Sequence, residues 1–186
     1  MSAFEVKTQV RRIAAAEYNL LPLLAKKRTE ENLQFFRYLQ RIPATKLDEL
    51  AMPVASRNIE AIDCTQCANC CKTLEPGLHE HEIAVLAKHS GMDSQTFQAQ
   101  HIHREADTGI WFLRPMPCLF LRQNRCTIYE VRPECCRDYP HLLRQGLKFR
   151  LRSVLRNYTI CPIVFNTLEE LKMVTGFFQQ SEDQKG

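Results

Sequence analysis

Four cysteines lie within eight consecutive residues, in the segment Cys64-Thr-Gln-Cys67-Ala-Asn-Cys70-Cys71. A lone free cysteine packs as a small hydrophobic residue, but four so close together indicate metal binding, disulfide formation or thiol reactivity. On a helix, all four side chains would fall within an arc of about 120°. In a turn, each C-x2-C pair would bring two thiolates to one ion. Either conformation directs the sulfur atoms toward a common centre.

Five further cysteines, which bring the total to nine, are Cys118, Cys126, Cys135, Cys136 and Cys161. The N-terminal sequence carries charged residues early and lacks the apolar segment of a secretory signal. We therefore expect a cytosolic protein without a membrane span, in which thiols stay reduced. An odd number of cysteines also fits a disulfide framework poorly. Bound metal or redox chemistry is the expected role of these thiols.

The chain has 186 residues, of which 45% are hydrophobic and 25% are charged, and its net charge is +4. These values are typical of a globular protein that buries a core of its own. So mild a positive charge does not by itself indicate nucleic-acid binding. The expected organisation is an N-terminal helical arm, a cysteine-cluster metal-binding domain and a disordered tail, at residues 1–55, 56–180 and 181–186 respectively.

Apolar residues recur at helical spacing through most of residues 1–60. Thr29 is a candidate N-cap for one helix, and a short helix from Thr45 to Leu50 is expected to end before a linker at Pro53. Later helices are predicted at 80–89, 94–103 and 168–178.

Short runs of β-forming residues occupy 110–113, 118–122 and 125–128. The last two runs are separated by Gln123-Asn124, which predicts a small hairpin that carries Cys118 and Cys126 near its turn. Residues 149–158 fit a strand or a helix equally well. The expected fold class is therefore α+β, mostly helical with a small β-hairpin, organised around a cysteine metal site.

Thiolates are soft ligands that suit zinc, copper(I) and iron–sulfur clusters. The chain carries enough of them for two four-coordinate centres, or for one centre with spare cysteines. The spacing is not the C-x2-C-x2-C-x3-C-P pattern of bacterial ferredoxins, because Cys71 follows Cys70 directly. The C-x3-C-x2-C triplet of radical S-adenosylmethionine enzymes is also absent. The cofactor is expected to be zinc or an iron–sulfur cluster, and the spacing does not choose between them.

The motifs that follow the first cluster in register are Pro117-Cys118-Leu-Phe-Leu, Cys126-Thr-Ile-Tyr-Glu-Val-Arg-Pro-Glu-Cys-Cys136-Arg-Asp-Tyr-Pro140 and Cys161-Pro162. Together they resemble the YkgJ-type cysteine-cluster family, which is described as a zinc- or iron-chelating CxxCxxCC domain. The resemblance covers about residues 60–165 and leaves residues 1–55 outside it. It implies a metal-binding set made of Cys64, Cys67, Cys70, Cys71, Cys118, Cys126, Cys136 and Cys161.

Cys135 falls at a variable position of that family, and its side chain is expected to face away from Cys136 in most backbone conformations. It is therefore predicted to lie outside the metal-binding set. Arg132 and Arg137 adjoin these cysteines in the sequence. A guanidinium group there would offset the negative charge of a thiolate centre and lower the pKa of the thiols.

Two weaker signals are a pair of histidines and a basic segment. His79 and His81 stand two residues apart, a spacing that points side chains to different faces of a helix, so we interpret them as solvated. No acidic residue occurs from His141 to Leu168, and basic residues at 148, 150 and 152 would share one face of a strand. Because aromatic stacking groups are sparse there, a solvated strand face is favoured over nucleic-acid binding.

The leading hypothesis is a cytosolic metal-binding protein whose thiolates hold zinc or an iron–sulfur cluster. One alternative is an iron–sulfur protein in electron or methyl transfer, since related cysteine clusters occur in flagellin lysine methylases. Another is a zinc-stabilised nucleic-acid adaptor that uses residues 144–156. The predicted partner is a metal ion. The sequence names no catalytic residue and does not decide whether the chain is an enzyme.

Overall fold

The computed structural model describes residues 12–178, which form two compact units. One unit runs from Asp63 to His141 and is called the cysteine unit below. The other combines the residues up to Ile62 with those from Leu142 onward, and is called the helical unit. These limits differ from the expected division after residue 55, because the C-terminal helices join the N-terminal ones. The predicted tail at 181–186 lies outside the described residues.

The helices, in chain order, are α1 (Leu21–Lys27), α2 (Thr29–Leu39), α3 (Ala44–Ala61), α4 (Asn69–Thr73), α5 (Glu80–Ser90), α6 (Ser94–His101), α7 (Glu134–Asp138), α8 (Leu147–Asn157) and α9 (Pro162–Val174). Short 3-10 helices occupy Ala15–Leu20, Cys64–Gln66 and Tyr129–Val131. The strands are β1 (Gly77–Leu78), β2 (Ile102–Arg104), β3 (Trp111–Leu113), β4 (Leu121–Arg122) and β5 (Arg125–Cys126). The expected α+β fold, mostly helical with small antiparallel sheets, is confirmed.

Two expectations about the N-terminal helices are wrong. Thr29 opens α2 without capping it, because its hydroxyl donates to the carbonyls of Ala25 and Lys26 at the end of α1. A single residue separates the two helices, so those carbonyls are the nearest acceptors. The helix expected to stop at Leu50 continues as α3 through Pro53 to Ala61. Buried side chains on both sides of the proline hold that helix against the core.

A buried ionic network lies between α2 and α9 of the helical unit. Lys172 is 0% exposed, and its ammonium donates to the carboxylates of Glu31 and Glu169, each at 2.5 Å. The Tyr158 hydroxyl donates to Glu169 at 2.7 Å, and Arg28 lies 3.2 Å from the same carboxylate. Burial, followed by the charge of Glu169, raises the pKa of Tyr158, so its hydroxyl stays protonated as a donor.

Two small sheets and a hydrophobic core build the cysteine unit. The three-stranded antiparallel sheet has the order β1-β3-β2, and β4 pairs with β5. Gln123 and Asn124 have φ angles of 47° and 61°, which are the left-handed values that a two-residue hairpin turn requires. The predicted hairpin is therefore confirmed. The core beside it consists of Leu78, Ile83, Leu86, Ala87, Phe97, Leu113, Phe120 and Ile128.

Residues 149–158, which fit a strand or a helix in the sequence, are mostly helical and belong to α8. The alternation of basic residues at 148, 150 and 152 is therefore not a strand pattern. Over residues 12–178, none of the helices combines the length and apolarity that crossing a bilayer would require.

The buried network predicts unequal effects for two lysine substitutions. Lys172→Met should lower the free energy of unfolding by about 3–5 kcal/mol, because Glu169 would keep a buried charge and lose its ammonium partner. Lys46 forms a similarly spaced pair with Glu49, but the two side chains are 59% and 65% exposed. Lys46→Met should therefore cost less than about 1 kcal/mol. Urea unfolding followed by circular dichroism measures both. Equal losses would contradict this account of the network.

Candidate metal centre

The first cysteine turn is set by Asp63. Its carboxylate accepts from the backbone N–H and the hydroxyl of Thr65, at 2.9 and 2.7 Å. These bonds start the short 3-10 helix at Cys64, and the chain then reverses at Ala68, which has a φ of 50°. Only a few per cent of residues other than glycine adopt this left-handed conformation. The reversal ends the turn that carries Cys64 and Cys67 and opens α4, which carries Cys70 and Cys71.

Three cysteine sulfurs accept a backbone N–H from the second residue after them. Cys67 accepts from Asn69 at 3.4 Å. Cys118 accepts from Phe120, and Cys126 accepts from Ile128. In each case this bond acts to lower the pKa of the thiol, because an N–H dipole aimed at sulfur favours the thiolate. Burial acts in the opposite direction and is the larger effect. The same local contact thus occurs just before α4, and again on each side of the hairpin turn.

Backbone bonds bring the hairpin cysteines to the first cluster. The N–H of Cys118 donates to the carbonyl of Cys71 at 2.9 Å. The N–H of Thr127 donates to the carbonyl of Phe120 at 2.9 Å, which closes the hairpin between Cys118 and Cys126. Both of these cysteines pack against the hydrophobic core of the unit. The core therefore supports one side of the thiol cluster.

The second pair of adjacent cysteines is positioned by Glu82. One oxygen of this buried carboxylate accepts from the N–H of His79 at the start of α5. The other oxygen accepts from the N–H of Glu134 at the start of α7, and both hydrogen bonds are 2.8 Å long. One side chain thus satisfies free backbone donors at two helix starts. It fixes α7, and with it Cys135 and Cys136, beside α5.

Each adjacent cysteine pair brings two sulfurs into contact. The Cys70 and Cys71 sulfurs are 3.9 Å apart, and so are those of Cys135 and Cys136. The expectation that Cys135 faces away from Cys136 is therefore wrong. Consecutive residues of a helix point about 100° apart, and rotation about the side-chain bonds closes that gap for an atom as near the backbone as sulfur.

Cys71 interacts electrostatically with most of the other thiols of the cysteine unit. Its negative charge, when present, raises the pKa of five other thiols, those of Cys64, Cys67, Cys118, Cys126 and Cys136. The hydrogen bond from Cys70 is the main reason why the pKa of Cys71 itself falls to about 7. The charges of Arg132 and Lys72 lower it further. Cys71 thus ionises near neutral pH.

Burial has the opposite effect on most of the other thiols. It is the main reason why the pKa values of Cys64, Cys67 and Cys126 are raised, and why that of Cys118 reaches about 11. The pKa of Cys136 is also raised, because its thiol donates to Cys135, whose own pKa falls. Most of the thiols are thus protonated near neutral pH unless a cation binds among them.

Two cations of the chain partly offset the charge of the thiolates. The guanidinium of Arg132 lowers the pKa values of Cys64, Cys71, Cys126 and Cys136, as the sequence predicts for this residue. It stacks 3.5 Å from the ring centre of Tyr129, which fixes its position. Lys72 was not singled out from the sequence. Its ammonium donates to the carbonyl of Cys67 at 2.7 Å, and the position one residue after Cys71 was the only available signal.

Seven of the eight predicted ligands lie in the cysteine unit, and so does Cys135. The eighth, Cys161, precedes α9 in the helical unit, where it is buried. The assignment of all eight cysteines as ligands stays a prediction. The histidines differ from expectation in one respect, because the rings of His79 and His81 stack 5.7 Å apart instead of pointing to different faces.

The donor set fits a soft metal ion. Four sulfurs placed about 2.3 Å from a zinc ion at the corners of a tetrahedron lie about 3.8 Å from each other. The 3.9 Å separation of the Cys70 and Cys71 sulfurs, both of them predicted ligands, matches one edge of that tetrahedron. Across residues 12–178, no three Cys, His, Asp or Glu side chains already stand at full ligand spacing. The match therefore rests on this pair and on the chemistry of the donors.

The sequence profile of the CxxCxxCC family, described as a putative zinc- or iron-chelating domain, matches residues 63–162. The chain belongs to the CxxCxxCC family. This confirms the resemblance found in the sequence motifs. The CxxCxxCC match begins at the first residue of the cysteine unit and extends beyond Cys161. Comparison with curated proteins and with solved structures gave no match. Zinc or iron chelation is accordingly the function that the family indicates, and the family does not choose the metal.

The hydrogen bond within the first pair predicts how Cys71 reacts in the reduced, metal-free protein. Its alkylation by iodoacetamide should rise with pH around a midpoint near 7, and that of Cys118 around about 11. Cys70→Ala removes the donor and should move the Cys71 midpoint to higher pH. Cys135→Ala is the matched control and should leave it in place. Peptide mass spectrometry follows each site. A Cys71 midpoint unaffected by Cys70→Ala would contradict the assignment.

Proposed function

We propose that the cysteine unit binds zinc or an iron–sulfur cluster through the thiolates around Cys71. The proposed ligands in this unit are Cys64, Cys67, Cys70, Cys71, Cys118, Cys126 and Cys136. The observation that carries the proposal is the N–H group that each of three sulfurs accepts from the second residue after it. Hydrogen bonds to sulfur stabilise thiolates and are among the features that tune iron–sulfur clusters.

Charge also supports metal binding over a set of unligated thiols. Burial and mutual repulsion raise the pKa values of most of these groups, and Arg132 and Lys72 compensate only part of the repulsion. A bound cation would displace the thiol protons and attract several thiolates at once. Such binding would link the first cluster, the hairpin and α7, which lie far apart in the sequence. Metal ligation would therefore contribute directly to the folding of this unit.

The two metals would have different consequences for function. A bound iron–sulfur cluster supplies a site for electron transfer, with a potential set by the charge and hydrogen bonds around its sulfurs. A closed tetrathiolate zinc site is redox-inert and stabilises structure. The thiol contacts fit both, since both are held by cysteine thiolates. Electron or methyl transfer therefore depends on the iron alternative, and stays a hypothesis until the metal is known.

Metal content in two cysteine variants tests the proposed ligand set. Protein purified without oxygen should carry zinc, or iron with labile sulfide and absorbance near 400 nm. Cys71→Ser should lower the metal affinity at least tenfold, because losing a ligand costs no less than losing a residue that orients one. Cys135→Ser is the matched control and should keep the metal, since the family resemblance leaves Cys135 outside the set. Competition with a chelator and elemental analysis give both values.

Either of two results would overturn this proposal. Wild-type protein that contains neither zinc nor iron, and takes up neither when reduced, would remove the metal-binding function. Equal losses of metal in Cys71→Ser and Cys135→Ser would show that the ligand set is wrong. If the wild-type protein does carry metal, its colour identifies which one. A coloured sample that dithionite bleaches reversibly would assign the iron alternative, and a colourless sample with zinc would assign the structural one.

A further inference from the structure

The outer side of α8 combines an aromatic ring with two guanidinium groups. Residues at i, i+3, i+4 and i+7 of a helix share one face. On α8 these positions are Phe149, Arg152, Ser153 and Arg156, all of them exposed, and we call this set the α8 outer face. The opposite side of the helix is buried at Leu147, Leu151 and Val154. The helix therefore has a core side and a separate surface side.

Contacts with the rest of the helical unit fix α8 in place. The carboxylate of Asp48 accepts the backbone N–H groups of Gly146 and Leu147, at 2.6 and 2.9 Å, and so caps the start of the helix. The ammonium of Lys148 donates to the carbonyl of Ile42 at 2.9 Å. The α8 outer face is thus a preformed surface, which lowers the entropic cost of binding a partner.

Phe149 is 83% exposed, so its ring contributes almost nothing to the core. A single exposed apolar side chain is ordinary on protein surfaces. This ring differs from an isolated exposed side chain, because Arg152 and Arg156 place guanidinium groups on the same face of the helix. An aromatic face and cations side by side are the elements that bind single-stranded nucleic acid, through base stacking and phosphate contacts.

The charged side chains of α8 itself are all basic. No aspartate or glutamate occurs from His141 to Leu168, so α8 carries no carboxylate of its own. The basic side chains of α8 divide into two groups. Lys148 and Arg150 donate to backbone carbonyls of the helical unit, whereas Arg152 and Arg156 lie on the outer face. A positive face without a carboxylate on the same helix attracts polyanions.

The composition of the face selects among polyanions. An anionic bilayer is bound by helices whose buried side is broadly apolar, but the α8 outer face offers one aromatic ring among polar groups. In a nucleic-acid duplex the bases are already stacked, so Phe149 would have no partner. We propose that the α8 outer face binds single-stranded nucleic acid, with Phe149 stacked on a base and Arg152 and Arg156 on phosphates.

Fluorescence anisotropy of the full chain with a labelled 15-nucleotide single strand tests this proposal. Binding should weaken as salt rises. In the double variant Arg152→Glu and Arg156→Glu, the slope of log affinity against log salt should fall by about 1.4, because two phosphate contacts are lost. Phe149→Ala should weaken binding about 5- to 100-fold through the lost stacking interaction. All three side chains are exposed, so circular dichroism should show unchanged folding.

A double variant elsewhere on the helical unit provides the matched control. Arg37 and Arg41 are also exposed and four residues apart, and reversing both changes the net charge equally. The variant Arg37→Glu and Arg41→Glu should lower the affinity far less than the reversal on α8. Three results would overturn the proposal: no binding of the single strand at low salt, equal losses in both double variants, or tighter binding to vesicles rich in phosphatidylserine than to the oligonucleotide.

Discussion

The repulsion among closely spaced thiolates is the constraint on which the cysteine unit depends. Cys71 affects the ionisation of five other thiols, so its charge makes each further ionisation more costly. The chain compensates with local dipoles, through N–H groups aimed at three sulfurs, and with two cations, Arg132 and Lys72. These elements reduce the repulsion without cancelling it. A metal ion is the partner that would complete the compensation, because it attracts several thiolates at one point.

The remainder of the cysteine unit can be understood as a scaffold that holds these sulfurs. The hairpin places Cys118 before its two-residue turn and Cys126 after it, and the hydrophobic core packs against both. Glu82 joins the starts of α5 and α7 and so holds the last cysteine pair in position. The helical unit has a different basis for its stability, namely apolar packing and a buried ionic network around Lys172.

Features coded by neighbouring residues were predictable from the sequence. The Gln123-Asn124 pair identified the hairpin, and the cysteine motifs identified the family. Features decided by tertiary packing were not. Pro53 lies inside α3 because buried neighbours hold that helix, and α8 is helical although its residues also alternate in a strand-like manner. The contact between the Cys135 and Cys136 sulfurs depends on side-chain rotation, which no sequence pattern encodes.

X-ray absorption at the edge of the bound metal tests the central claim most directly. The spectrum of protein purified without oxygen should show a first shell made only of sulfur, at about 2.3 Å for zinc. An iron–sulfur cluster would add iron neighbours beyond that shell. A first shell containing nitrogen or oxygen in place of sulfur would contradict the account, because the thiols around Cys71 would then not be the ligands.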